Sequence, residues 1–165
     1  MKALTEDGVR GCFVNATDAE LERLDLPWWF DATLWDSLDY FGWTDPALPE
    51  RGYLVADTSF GLVGAVLRLP KNRPQGRRAL CSLCYTQHKS QGALLMVANR
   101  AGRAGRNHNT VGTYICADLS CSLYLRGLRR AFGGGMLPET LDPEARIRRL
   151  NERVEDFLGR VLVDD

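Results

Sequence analysis

The chain has 165 residues, of which 45% are hydrophobic and 25% charged. This composition is typical of a globular protein with one domain, or one domain and a small appended module. No apolar run reaches the roughly 20 residues that a membrane-spanning helix needs. The N-terminus turns acidic before any apolar stretch of a signal peptide begins. We therefore expect a cytoplasmic protein that has no membrane partner.

The formal net charge of zero hides an asymmetry along the chain. Residues 1–66 carry four basic and twelve acidic side chains, whereas residues 67–130 carry twelve basic side chains and one carboxylate, Asp118. A basic segment of this kind attracts acidic partners, either RNA or an acidic protein face. Part of the asymmetry can also be internal, with the acidic N-terminal part docked on the basic part.

The N-terminal part begins with patterns of short helices. Thr17 and Glu20 form a capping-box pattern that predicts a helix over 17–24. Asp31 is placed to cap a second short helix over 32–40.

A β-hairpin is predicted next, with strands over 52–57 and 61–69. The aromatic-rich stretch 28–43, which contains all four tryptophans, is predicted to build core and not a binding surface. The polar connector 70–78 marks a module boundary.

Two further strands are predicted over 93–98 and 110–115, with a Gly/Arg/Asn-rich loop over 101–109 between them. The second strand delivers Cys116, and a helix that Asp118 or Ser120 caps is expected to follow it.

The C-terminal part contains the clearest helix pattern. Gly133 to Gly135 is predicted to be a flexible joint. Asp142 is the expected N-cap and Pro143 the first residue of a helix that extends to Val161. Apolar residues recur there at steps of three and four, as an amphipathic helix requires.

Four of the five cysteines form the pattern Cys-x2-Cys, 31 residues, Cys-x4-Cys. Two cysteines separated by two residues can turn a tight knuckle, so that both sulfur atoms point at one ion. Four thiolates suit tetrahedral zinc and leave no open coordination position. We therefore predict one structural Zn²⁺ ion, held by Cys81, Cys84, Cys116 and Cys121.

Two alternatives to the four-cysteine site are less consistent with the sequence. A redox pair at Cys81 and Cys84 is disfavoured because the βαβ context of thioredoxin-type sites is absent. His88 or His108 could replace one ligand, but four cysteines at workable spacing make that unnecessary. Cys12 lies among apolar residues and is interpreted as a small buried hydrophobe.

Residues 77–84, which contain the first cysteine pair, and residues 105–122, which contain the second, resemble the FBP family of elongation factor G-binding proteins. This family includes the fusidic-acid resistance proteins. The resemblance covers about residues 76–130. It implies a treble-clef zinc finger with the four cysteines as ligands, and a protein that binds elongation factor G and helps it leave the ribosome. The short helices and hairpin expected over 1–70 differ from the helical bundle of the resistance proteins.

The loop over 101–109 is our main candidate for partner contact, because arginine and asparagine offer donors to carboxylates, phosphates and backbone groups. Neighbouring basic residues and Tyr114, an aromatic residue in the second strand, extend this prediction. The alternative for the loop and the basic residues is a solvated surface with no partner, and for Tyr114 it is packing within the hairpin. The predicted partner-binding residues are Arg77, Arg78, Lys89, Arg103, Arg106, Asn107, His108, Asn109 and Tyr114.

We predict an α+β protein with an N-terminal module over 1–70, a treble-clef zinc finger over 76–130 and a C-terminal helix over 140–163 that packs on the same domain. Enzymatic activity and a small-molecule substrate are not expected. His108 is followed by no second histidine, which zinc-dependent His-Asn-His nucleases need. The predicted function is binding to elongation factor G or the ribosome, and the alternative is an RNA-binding zinc finger.

Overall fold

A computed structural model describes residues 1–72, 78–131 and 133–163. The fold is α+β with antiparallel sheets, as predicted. Three 3-10 turns lie at Phe30–Ala32, Trp35–Ser37 and Ser90–Gly92. The helices are α1 (Glu6–Gly11), α2 (Asp18–Glu22), α3 (Gly102–Arg106), α4 (Cys121–Leu125) and α5 (Pro143–Leu162). The strands are β1 (Phe41–Thr44), β2 (Arg51–Thr58), β3 (Gly61–Arg68), β4 (Ala79–Leu80), β5 (Thr86–His88), β6 (Ala93–Asn99), β7 (Thr110–Cys116) and β8 (Gly135–Met136).

The first seventy residues follow the prediction in part. The capping box of Thr17 and Glu20 starts α2, which ends at Glu22. The sequence patterns missed α1, which the Thr5 side chain caps. The predicted helix over 32–40 is wrong, because this stretch forms only a 3-10 turn before strand β1 begins. Trp35 instead packs against Phe41 of β1, with the ring centroids 5.1 Å apart, so tertiary packing overrides the local helix signal.

The larger sheet has the order β1-β2-β3-β6-β7, and every neighbouring pair is antiparallel. The predicted hairpin of β2 and β3 is confirmed, and so are the strands β6 and β7. Between β3 and β6 the paired register is Arg68 with Val97. Asn15 bridges the two strands there, since its side-chain amide donates to the carbonyls of Val66 and Asn99.

One face of this sheet is covered by α5. The helix has the predicted N-cap, Asp142, whose side chain accepts from the Ala145 N–H at 2.8 Å. Its apolar stripe is buried and joins the main core with inward residues of β2, β3, β6 and β7. The buried residues of the stripe are Leu150, Val154, Phe157, Leu158 and Val161.

The opposite face is covered over β1, β2 and β3 by a second core that the N-terminal segment builds. The predicted core role of the aromatic stretch is confirmed for Phe30, Phe41 and Trp43, which are buried together with Tyr53. Trp28 departs from that prediction, because 92% of it is exposed.

A smaller sheet of order β4-β5-β8 lies beside the larger one. Residues 133–135, predicted to be a flexible joint, lead instead into β8, which begins at Gly135 and pairs with β5 through Gly135 and Gln87. The loop predicted over 101–109 contains α3, whose Ala104 side chain is buried and fixes the turn.

Strands from the predicted modules 1–70 and 76–130 share the five-stranded sheet, and the division into separate folding units stays a prediction. Among the described residues, ion pairs of Asp39 with Arg126 and of Glu50 with Lys71 join the acidic N-terminal part to the basic segment. Within the described residues, no helix has the length and apolar character that a membrane crossing requires.

Candidate metal centre

Four sulfur atoms converge where the smaller sheet meets the end of β7. Two of the cysteines flank the turn between β4 and β5, one ends β7, and one begins α4. All four side chains are completely buried, and their sulfur atoms lie within 4.8 Å of one another. They are free thiols and not disulfides. These residues are Cys81, Cys84, Cys116 and Cys121.

Two tight turns deliver the cysteines. In the first knuckle the Tyr85 N–H donates to the Cys81 carbonyl at 3.0 Å, and Tyr85 takes a positive φ of 58°. In the second the Leu119 N–H donates to the Cys116 carbonyl at 2.8 Å, and Leu119 has a φ of 56°. Left-handed backbone is strained in residues other than glycine. The packing of both loops must therefore hold these turns in place.

The sulfur spacing fits one tetrahedral ion. Cys81 Sγ lies 3.6 Å from Cys121 Sγ, and Cys84 Sγ lies 3.5 Å from Cys116 Sγ. Four thiolates around zinc, each with a bond of about 2.3 Å, place neighbouring sulfur atoms about 3.8 Å apart. The cluster has no carboxylate, and an all-thiolate set selects zinc over magnesium or calcium. The four buried cysteines are therefore compatible with one structural zinc ion.

Polar groups surround the thiol cluster. The Cys84 N–H donates to Cys81 Sγ at 3.5 Å. His88 Nε2 lies 3.2 Å from Cys116 Sγ, and Thr86 Oγ1 lies 3.2 Å from Cys84 Sγ. The Tyr40 hydroxyl reaches the fourth cysteine, Cys121, whose N–H donates to it at 3.4 Å. The Cys84 N–H donates to sulfur and His88 Nε2 lies within reach to do so, and donors of this kind orient metal ligands and disperse their negative charge.

The thiols cannot all ionise unaided, because four neighbouring thiolates repel one another. A hydrogen bond with Cys116 holds the pKa of Cys84 well below its usual range. The hydrogen bond with Cys121 raises the pKa of Cys116, and burial raises that of Cys121 itself. One thiolate is thus stabilised by protonated neighbours. A bound dication removes the repulsion and favours the ionised form of every ligand.

Burial also keeps the supporting tyrosine protonated. Burial is the main cause that raises the pKa of Tyr40 well above its ordinary value, and the negative charge that Cys121 and Cys116 carry when they ionise adds to it. A protonated phenol can donate to sulfur but cannot compete as an anionic ligand. Cysteine spacing predicted none of these supporting groups. Only the position of Thr86 and His88, shortly after the first cysteine pair, could have indicated two of them.

The isolated fifth cysteine behaves differently. Cys12 packs in the N-terminal core, 8% exposed, and burial raises its pKa to about 12. This confirms its interpretation as a buried hydrophobe.

The comparisons with known proteins agree with this geometry. A model of the FBP C-terminal treble-clef zinc-finger family matches residues 8–161. The chain belongs to this family. The match extends well beyond the 76–130 that the resemblance covered, so the N-terminal strands and α5 are part of the family's domain as well.

One solved structure similar to this FBP-family chain is that of the fusidic acid resistance protein FusC. The two share 16% sequence identity with a TM-score of 0.55, and the aligned part covers 74% of this chain. The chain spans about half of FusC, since the alignment covers 52% of that protein. At this identity the likeness shows a shared fold. No curated protein matches the chain.

The predicted partner-binding residues lie outside the metal centre. Arg103, Arg106 and the three residues Asn107 to Asn109 are exposed at the tip between β6 and β7, which we call the basic tip. Tyr114 is 49% exposed on β7, and Arg78 and Lys89 are exposed near the smaller sheet. Arg77 lies outside the described residues. The structure therefore spreads these residues over several places, and their role in binding stays a prediction.

Proposed function

We propose that this chain is a non-enzymatic zinc-finger protein of the translation machinery, which binds elongation factor G and promotes its release from the ribosome. The observation that supports this best is the complete burial of all four cysteines. A zinc ion held there would have no open coordination position for a substrate, so it would stabilise the fold and not take part in catalysis. Function then belongs to the surface of that scaffold. The FBP family and the FusC-like fold agree with a role of this kind.

The basic tip is held firmly enough to act as a preformed contact. The Arg100 N–H donates to the Asn109 carbonyl at 2.9 Å, and the Asn109 N–H donates to the Ala104 carbonyl at 3.0 Å. The Ala101 N–H donates to the Val161 carbonyl of α5 at 2.7 Å. Ordering such a segment costs little on binding, because its backbone is already fixed. Its arginines are exposed and form no ion pair with another described residue, so they can pair with carboxylates of a partner.

Release would follow from mass action. A protein that binds elongation factor G more tightly in its free form than in its ribosome-bound form shifts the factor toward the free form. No chemical step is required, and a cytoplasmic location fits the proposed role.

The ligand assignment of the metal centre is tested by removing one thiol. We expect the purified protein to contain one zinc ion per chain, and Cys116→Ser to lose it and to unfold at a lower temperature. Elemental analysis and thermal unfolding provide the measurements. Cys12→Ala is the matched control, since it alters a buried cysteine outside the cluster and should keep its zinc. Full zinc occupancy in Cys116→Ser would exclude Cys116 as a ligand.

The partner assignment is tested by capture of purified elongation factor G on the immobilised chain at moderate salt. We expect the wild-type chain to retain the factor and the double variant Arg103→Glu/Arg106→Glu to retain much less, with unchanged zinc content. A variant that binds as well as the wild type would exclude the basic tip as the contact. A wild-type chain that captures no elongation factor G would refute the proposed partner.

An RNA-binding zinc finger is the second candidate, because the segment 67–130 carries eleven more basic than acidic side chains. Each phosphate contact lowers the logarithm of the affinity by roughly one unit per logarithm of salt concentration. A steep salt dependence with ribosomal RNA, together with no capture of elongation factor G, would favour this candidate.

A further inference from the structure

Part of one sheet face, over β6 and β7, has no cover within the described part of the chain. The cross-strand pairs Leu95 with Tyr114, Val97 with Gly112 and Asn99 with Thr110 lie on the face that points away from α5. The N-terminal core covers this same face over β1, β2 and β3 but does not extend over β6 and β7. We call the uncovered part the open face.

The open face ends in an apolar groove. Its volume is about 540 Å³, and its large exposed side chains are Leu80, Leu95 and Tyr114. These are 37%, 43% and 49% exposed, so each leaves apolar surface in water. Pro70, Ala79 and Ala93 also line the groove. Apolar surface gathered in a concave site is typical of a protein-binding site, whereas scattered exposed leucines are ordinary.

The charged side chain that lines the groove is basic. Arg78 lines it, and no carboxylate is among its described lining residues. Lys71 is adjacent in sequence to two lining residues, and its exposed ion pair with Glu50 spans 3.6 Å. Such an exposed pair contributes little and can exchange for another carboxylate. At the other end of the open face the basic tip presents Arg103 and Arg106. Both ends therefore complement an acidic partner.

The groove favours a protein over a nucleic acid. Its lining is mainly aliphatic, with Tyr114 as its aromatic ring and Arg78 as its charged side chain. Single-stranded RNA is bound by successive aromatic platforms in a basic channel, which this lining does not provide. An apolar side chain of a protein segment, by contrast, would bury the exposed leucines.

We propose that the open face is the docking surface for a protein segment that presents an apolar side chain flanked by carboxylates. The apolar side chain enters the groove at Leu80, Leu95 and Tyr114, and the carboxylates pair with Arg78 and with the basic tip. This inference rests on the proposed function, since it places the docking segment on elongation factor G.

The test measures the affinity of the full chain for purified elongation factor G by titration calorimetry. We expect Leu95→Ser and Tyr114→Ala each to lower the affinity about tenfold or more, because they remove central apolar contacts. Leu128→Ser is the matched control, since Leu128 is 60% exposed but does not line the groove. It should bind as the wild type does. Zinc content and circular dichroism verify that each variant is folded.

The outcomes separate this inference from the proposed function. If the wild type and both groove variants bind elongation factor G equally well, the open face is not the docking surface, but elongation factor G remains the proposed partner. If the wild type does not bind elongation factor G, both proposals fail. A wild type that dimerises while Leu95→Ser is monomeric would make a second copy the occupant and overturn the inference. Binding of ribosomal RNA that Tyr114→Ala abolishes would overturn it as well.

Discussion

His88 is one of the groups beside the metal centre whose presence the cysteine spacing does not predict. Its ring is buried against Tyr124, with the ring centroids 5.0 Å apart, and its Nε2 lies 3.2 Å from Cys116 Sγ. Burial lowers the pKa of His88, so the ring is neutral at physiological pH. A metal-bound thiolate accepts hydrogen bonds, which assigns the proton to Nε2. The ring thus supports Cys116 without occupying a coordination position.

Replacing His88 by phenylalanine keeps an aromatic ring against Tyr124 but removes the donor to Cys116. Mutation of a group that supports a metal ligand typically lowers metal affinity by roughly 10- to 100-fold. We therefore expect the zinc affinity of His88→Phe to fall below that of the wild type by about that factor. Competition with a chromophoric chelator measures the change.

His108→Asn is the control for this experiment. His108 is exposed and has a positive φ of 64°, a conformation that asparagine tolerates. Its zinc affinity should equal that of the wild type. An unchanged affinity in His88→Phe would mean that the imidazole fills space and gives the thiolate no support.

Among the helices and strands, the sequence predicted those that neighbouring residues mark with a cap, a turn or a regular apolar pattern. The helix α5 has its N-cap at Asp142, its first-turn proline at Pro143 and a regular apolar stripe, so both ends and the buried face could be predicted. The hairpin of β2 and β3 was predictable for a similar reason, because turn residues separate two short apolar runs.

Elements fixed by distant partners were missed. Residues 133–135 indicate flexibility in the sequence, yet a Cβ at Gly134 would lie 1.9 Å from the Gln87 carbonyl oxygen. The glycine is required by the close approach of two strands and not by motion. Gly105 has the same role in α3, where a Cβ would lie 1.9 Å from the Arg100 carbonyl oxygen. Composition cannot separate these two uses of glycine.

The residues of the candidate site fall into the same two groups, those with a local sequence signal and those that only the tertiary fold brings in. The four cysteines could be found because their spacing encodes two knuckles. Tyr40 could not, because it lies 81 residues from Cys121 and reaches the cluster only through the tertiary fold. The groove was also missed, since Leu80, Leu95 and Tyr114 come from three separate strands.

At the scale of the whole molecule, the metal centre and the N-terminal core are joined by one short segment. Asp39 forms a bidentate ion pair with Arg126, at 2.6 and 3.0 Å, and its N–H donates to Ser122 Oγ at 2.9 Å. Tyr40 follows and reaches Cys121. Strand β1 begins at the next residue and carries aromatic side chains into the N-terminal core.

We expect zinc removal to disturb that core. Without the ion the buried thiolates repel one another, α4 loses its anchor at Cys121, and the attachment of Asp39 and Tyr40 loosens. The buried indole of Trp43, now 2% exposed, should become hydrated and its emission should shift to the red. Chelation monitored by a zinc-sensitive dye and by tryptophan fluorescence should give the same time course for both signals.

Trp28 contributes a constant background to the fluorescence, because its side chain is 92% exposed and its indole is already hydrated before zinc is removed. Trp28→Phe should therefore enlarge the fractional shift without altering the time course. Zinc release that leaves the emission unchanged would mean that the N-terminal core is stable without the metal. The predicted modules over 1–70 and 76–130 would then fold independently, although their strands share one sheet. Coincident signals would instead make the metal a stabilising element of the whole sheet, because its loss would spread through Tyr40 and Asp39 to strands distant from the cysteines.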